Sequence, residues 1–166
     1  RIPDFLCLSK GITGGFLPLG ATVTTHDIYS AFLSPHIDKM LFHGHSYTGN
    51  ALSCAAACAN LKLFRKMNLT QQLSALTTAH TIALQKLSEY HSLKEVRVCG
   101  TIGVLELPQV SYYGNSFSAT IQREALKLNL FIRPLGNTIY LMPPYSTTPE
   151  EIAWAWAQVD NVLLPE

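Results

Sequence analysis

Three short stretches hold the side chains best suited to chemistry. Lys10 follows the apolar run Phe5-Leu-Cys-Leu8 through Ser9, with Gly11, Gly14 and Gly15 close behind it. An amine at the end of a buried strand is desolvated toward its neutral form, and a neutral amine attacks aldehydes. An exposed loop lysine has the same spacing and is the commoner case. His43-Gly-His-Ser-Tyr-Thr-Gly-Asn50 lies just ahead of an Ala-rich stretch. The free N–H groups of a helix start, joined by the hydroxyls of Ser46 and Thr48, suit a phosphate. A helix capped by Asn50 or Thr48 with no ligand fits equally well. Arg133 ends Phe131-Ile-Arg133 ahead of Pro134, and its planar fork suits a carboxylate, although a surface arginine is more usual. Tyr140 stands beyond the turn Pro134-Leu-Gly-Asn137, so a hairpin there turns both side chains toward one pocket.

The elements that must position these residues can be read from periodicity. Residues 5–8 and 19–25 read as strands joined by a glycine loop, and Asp27–Leu33 as a short helix stopped by Ser34-Pro35. Ala51–Lys66 is a long helix, apolar enough to be buried on most sides. A second helix over 69–91 presents Leu73, Leu76, Leu84 and Leu87. From Lys94 the period changes to that of strands, with Val96, Val98 and then Ile102 to Leu107 around Gly100, followed by a helix over 116–127. Phe131–Arg133 and Thr138–Leu141 form the second hairpin. The last helix starts after Thr148-Pro-Glu-Glu151, where cap, proline and early acids agree. This order predicts an α/β or α+β chain whose second half carries two or three helices on a small, largely antiparallel sheet, with a boundary near residue 60.

Composition excludes several classes. The chain has 166 residues, 48% hydrophobic, with 12 basic and 11 acidic side chains and a formal charge of +1. No basic stripe points to nucleic acid, and no run of about eighteen apolar residues points to a membrane span. A small-molecule ligand is expected. Cys7, Cys54, Cys58 and Cys99 form no C-x-x-C pair and stand in apolar surroundings, which suits a reducing, cytoplasmic setting. Cys54 and Cys58 are read as buried small residues rather than metal ligands with His43 and His45. His26, His36, His80 and His91 are read as solvated, and Trp154 and Trp156 as packing or meeting a partner chain. The opening Arg1-Ile-Pro-Asp-Phe has no initiator Met and no signal-peptide pattern, so a longer chain is expected.

Taken in order, Asp4 to Gly15, His43 to Asn50, Ile132-Arg-Pro-Leu-Gly136 and Tyr140-Leu-Met-Pro-Pro-Tyr145 resemble the class III pyridoxal-phosphate aminotransferases. The resemblance implies the C-terminal part of a fold-type I transferase: residues 1–60 as the end of the large cofactor-binding domain and 61–166 as the small α/β domain. It implies that Lys10 carries pyridoxal 5'-phosphate as a Schiff base and then shuttles protons. Ser46, where the family has a hydroxyl residue, often Thr, would reach the cofactor phosphate of a second subunit, so a homodimer is implied. Gly44 would leave room for substrate, and Arg133, with Tyr140 near it, would hold a substrate carboxylate. His45 departs from the Pro often found there.

Tyr140 to Tyr145 is most similar to the branch of the family acting in biotin formation. That branch implies transfer from S-adenosylmethionine, or lysine in some relatives, to 8-amino-7-oxononanoate, giving 7,8-diaminononanoate. The alternatives are another class III enzyme with an ω-amino donor, or a non-catalytic fragment keeping only the small domain and dimer surface. Whole enzymes of the family are more than twice as long, and their front half carries the phosphate cup, the aromatic residue over the ring and the aspartate at the pyridine nitrogen. The 166 residues alone are therefore expected to be inactive.

Overall fold

The computed structural model describes residues 2–108 and 116–164. The chain folds as two compact units, Arg1–Met67 and Asn68–Glu166.

In the first unit, β1 (Phe5–Leu8) and β2 (Ala21–Thr24) form an antiparallel hairpin with Phe5 opposite Thr24 and Leu8 opposite Ala21. One 3-10 turn, Lys10–Thr13, follows β1. Gly14 and Gly15 then reverse the chain at φ 63° and 78°, a region that L side chains enter only with strain. A short helix α1 (His26–Ser30) comes after β2, ending before the Leu33 expected from sequence. The long helix α2 (Ala51–Lys66) starts at Asn50, whose side chain accepts the Ser53 N–H at 3.0 Å.

The expectation that α2 is buried on most sides does not hold within this unit. Only Ser53 and Ala57 of the helix are buried, Leu52 is 72% exposed, and Cys54 and Cys58 are exposed rather than packed. A two-stranded hairpin has too little area to cover a helix, and the 3-10 turn covers one narrow stripe of it.

The second unit has a core. Strands β3 (Glu95–Cys99), β4 (Ile102–Glu106) and β5 (Thr138–Leu141) form an antiparallel sheet in that order. Alternation puts Leu105, Ile139 and Leu141 on the buried face. Against it lie α3 (Leu69–Tyr90), α4 (Ser116–Lys127) and α5 (Pro149–Leu163). Leu76 and Leu84 of α3, Ile121 and Ala125 of α4, and Ile152, Trp156 and Val159 of α5 join this core. Each fully buried aliphatic side chain contributes about 1.5–3 kcal/mol. α5 begins with the expected cap: Thr148 Oγ1 accepts the Glu151 N–H at 3.2 Å, and Glu151 Oε2 accepts the Thr148 N–H at 2.8 Å, with Pro149 at the first turn.

Three expectations from sequence fail in this unit. Residues 131–133 form no strand: Leu135 and Thr138 exchange both backbone hydrogen bonds at 2.9 and 3.0 Å around Gly136, and the pairing stops there. Pro134 offers no N–H and holds Arg133 extended, and β5 takes β4 as its neighbour instead. The segment keeps strand-like alternation all the same, with Leu130, Ile132 and Pro134 buried and Phe131 and Arg133 exposed. His80 is fully buried rather than solvated; Trp156 Nε1–H donates to its Nδ1 at 2.8 Å. His91 also has a partner, Asp160 Oδ1, at 2.6 Å from its Nε2.

Candidate active site

The Lys10 turn belongs to the first unit. β1 feeds directly into it, and Lys10 takes φ 45°, the left-handed region that costs a non-glycine residue about 1–2 kcal/mol. That conformation persists because the carbonyls of the turn are engaged. Ser9 O accepts from Ile12 N at 3.3 Å, Lys10 O from Gly15 N at 3.2 Å and Gly11 O from Gly14 N at 3.1 Å. The buried Thr13 hydroxyl ties the turn to the segment leading into β2, 2.6 Å from Leu17 O and 3.3 Å from Lys10 O. From α2, Asn60 Nδ2 donates to Gly11 O at 2.9 Å and Ile12 O at 3.1 Å.

The Lys10 side chain projects from this turn with no ion-pair or hydrogen-bond partner among the described residues. It is exposed, and so is most of β1. Within this unit the strand therefore does not desolvate the amine; its contribution is a fixed origin for the side chain.

The loop from His43 to Asn50 resolves one alternative left open by sequence. Asn50 caps α2, while Thr48 is used inside the loop: its Oγ1 accepts the His45 N–H at 3.0 Å, and its N–H reaches His45 O at 3.0 Å. His45 Nδ1 accepts the Tyr47 N–H at 3.1 Å. The residue that departs from Pro thus organises the turn through its own ring. Ser46 sits at the crest with Gly44 just before it, both exposed, and a Cβ at Gly44 would meet nothing within 4 Å.

Arg133 and Tyr140 belong to the second unit. Tyr140 stands opposite Val104 on β4, and Val104 opposite Arg97, so Tyr140 shares the sheet face turned away from the helices with Arg97 and Glu106. Arg97 pairs with Glu106 and Glu95, which raise its pKa; Lys94 and Arg97 in turn hold the Glu106 carboxyl below its usual range. Arg123 pairs with Glu124. Arg133 is the arginine of this unit without a carboxylate partner among the described residues.

Sequence reasoning missed Asn60 and Thr13, and the part that the His45 ring plays within its loop. The signal for Asn60 was present as a stripe, Ser53, Ala57 and Asn60, of small or polar residues at helical spacing in an otherwise apolar helix. No helix of the described residues is long and apolar enough to cross a membrane.

Known proteins share this fold. The family model for aminotransferase class-III matches residues 1–163. An adenosylmethionine-8-amino-7-oxononanoate aminotransferase of Helicobacter pylori is 43% identical over 97% of this chain and 38% of its own length. A namesake from Synechococcus elongatus is 40% identical, with 97% and 38% covered. The crystal structure of the Methanocaldococcus jannaschii enzyme of that name superposes with a TM-score of 0.87 at 37% identity, covering 98% of this chain and 39% of that one. A PLP-bound amine transaminase from an uncultivated Pseudomonas species superposes with a TM-score of 0.83 at 30% identity, over 96% and 38%. The chain thus spans 38% of the length of the first curated relatives it matches. Matched over residues 1–163, the chain belongs to the class-III aminotransferases, a pyridoxal-phosphate-dependent family.

Proposed function

We propose that this chain supplies the lysine and the substrate-anchoring arginine of an aminotransferase acting in biotin formation. It moves an amino group from S-adenosylmethionine, or from lysine, to 8-amino-7-oxononanoate, giving 7,8-diaminononanoate. The supporting observation is an unpartnered primary amine on a backbone fixed in the left-handed region, in a chain 43% identical to the H. pylori relative along almost its whole length.

The residues present fit pyridoxal phosphate as a donor set: an amine without an acid partner for its aldehyde and the Ser46 hydroxyl for its phosphate, with no Cβ at Gly44 to crowd the approach. When bound, the cofactor supplies the electron sink for the negative charge left on the substrate carbon. Lys10 Nζ would hold the cofactor through its aldehyde and, when free, would carry a proton between the substrate carbon and the cofactor. Ser46 Oγ would donate to a phosphate oxygen, in a homodimer that of the second subunit. Arg133 binds the substrate carboxylate through its fork and so orients the reacting end. Tyr140 would offer its hydroxyl to the same substrate.

The test uses the protein as its gene encodes it. Borohydride reduction and then peptide mapping should place the cofactor mass on Lys10, and Lys10→Ala should lose the visible absorption band. Against a panel of keto acids, turnover of 8-amino-7-oxononanoate is expected; failure of that substrate with turnover of an ω-amino pair instead would move the protein to another branch of the family.

A further inference from the structure

Lys10 extends from a turn that one side chain of another element fastens. We propose that Asn60 is a positioning residue for Lys10, a reading that rests on the cofactor-binding role of Lys10 proposed above.

The turn is short and strained: four residues with φ 45° at the lysine, and a cap residue, Ser9, that makes no side-chain bond. Its backbone bonds at 3.1 to 3.3 Å all run within residues 9–16. Such bonds define the shape of the turn but do not tie it to anything else. The Thr13 hydroxyl also stays local, reaching only to Leu17. Asn60 lies 49 residues from Gly11 in sequence and is the side chain of α2 that anchors the turn.

Its amide is well matched to that task. Nδ2 carries two hydrogens and meets two carbonyls, Gly11 O and Ile12 O, at 2.9 and 3.1 Å, so both donors are used. The amide oxygen faces Gly14, where a Cβ would lie 3.1 Å from Asn60 Oδ1. The turn approaches the helix this closely because residue 14 has no side chain, and its φ of 63° sets the same requirement independently. Asn60 and Gly14 therefore fit one another, and the Lys10 backbone is locked to the rigid axis of α2 rather than to a free hairpin tip.

A lysine whose Cα can move by about an ångström presents its Nζ at the wrong angle for proton transfer, which reduces turnover before it reduces binding. Asn60→Ala removes both bonds. Alanine is the best helix former and the two carbonyls can turn to water, so α2 and the fold should survive. Asn60→Asp keeps the shape but sets an anion against two carbonyl oxygens.

In the protein as encoded and loaded with pyridoxal phosphate, both variants should lower kcat about tenfold or more while changing the KM of the amino donor less than about twofold. The pH midpoint of the visible band of the Lys10–cofactor linkage should also shift in both. In cofactor-free protein, reductive methylation of Lys10 by formaldehyde and cyanoborohydride should change rate relative to the other lysines. If either soluble variant keeps the wild-type kcat, band midpoint and methylation rate, Asn60 does not position Lys10. If instead the borohydride-trapped cofactor maps to a lysine other than Lys10 in the wild type, the cofactor-binding reading itself fails, and that outcome is separate from the behaviour of the Asn60 variants.

Discussion

Arg133 and Gly103 show how single residues limit what the second unit tolerates. Arg97 and Arg123 are tied to carboxylates whereas Arg133 is not, so replacing Arg133 removes no internal ion pair. Arg133→Gln should leave the melting temperature within about a degree, because it is an exposed change away from the core. For the proposed activity it should raise the KM for 8-amino-7-oxononanoate about 10- to 100-fold, the effect of losing a charge-assisted bidentate contact; an unchanged KM in steady-state kinetics would remove Arg133 from the proposed substrate site. Gly103 has no such freedom: an added Cβ would lie 2.3 Å from His80 Nδ1 and 3.0 Å from Trp156. Gly103→Ala should cost about 1–3 kcal/mol in a urea titration, the usual range for overpacking. At this scale Lys10, Ser46, Arg133 and Tyr140 were legible as candidates because their types and neighbouring glycines or prolines are local signals. His80 was misread although it stands one helical turn from both Leu76 and Leu84, on the apolar stripe. Its identity as a histidine outweighed its position, and only the facing Trp156 supplies the reason a polar ring can lie there.

Elements were legible where a signal is contained in a few consecutive residues. Thr148-Pro-Glu-Glu151 announced α5 and its cap, and Thr148→Ala is expected to cost about 1 kcal/mol by loss of one side of the capping box. Thermal unfolding of the variant tests this, and an unchanged midpoint would mean the cap contributes nothing. The segment 131–133 shows the opposite case. Its alternation is real, with Ile132 buried at 5% exposure between exposed neighbours, but alternation reports which face is covered and not which strand is the neighbour. β5 pairs with β4, more than thirty residues earlier in the chain, a choice made by non-local packing. The apolar character of α2 was equally misleading: hydrophobicity is a property of its own residues, whereas burial depends on the surface available to cover them.

Across the whole molecule the two units differ in how much they bury. Among the described hydrophobic residues of the first unit only Ala57 is buried, while fourteen side chains form the cluster of the second. Local stability tracks buried apolar contact, so amide exchange of the 166-residue chain should be fast in β1 and β2 and slowest around Leu105 in β4. Equal protection of the two hairpins, read by mass spectrometry, would contradict this. Stability of the second unit should also depend on pH through His80. Burial lowers its pKa below the 6.5 of a free imidazole, an interaction with the Thr101 backbone offsetting only part of that, and its Nε2 is buried without a hydrogen-bond partner among the described residues. As pH falls below 6.5 the unfolded chain takes up a proton that folded His80 refuses. Stability from this residue is therefore complete above that pH and is lost below it, until the folded ring protonates too. Melting temperatures between about pH 7.5 and about pH 5.5 should fall more steeply in the wild type than in His80→Gln, and equal slopes would exclude the linkage.

The His80–Trp156 bond has one more consequence, and it is optical. Trp154 is 47% exposed and Trp156 1% exposed, so the chain carries two indoles in opposite surroundings on one helix. The buried one emits from a rigid apolar cage with its N–H on an imidazole at 2.8 Å, and should give the blue-shifted, iodide-resistant part of the fluorescence. An imidazolium quenches an adjacent indole, so that component should dim as His80 gains its proton. The second unit thereby contains its own reporter, one that tracks the integrity of the α3–α5 packing without any attached dye.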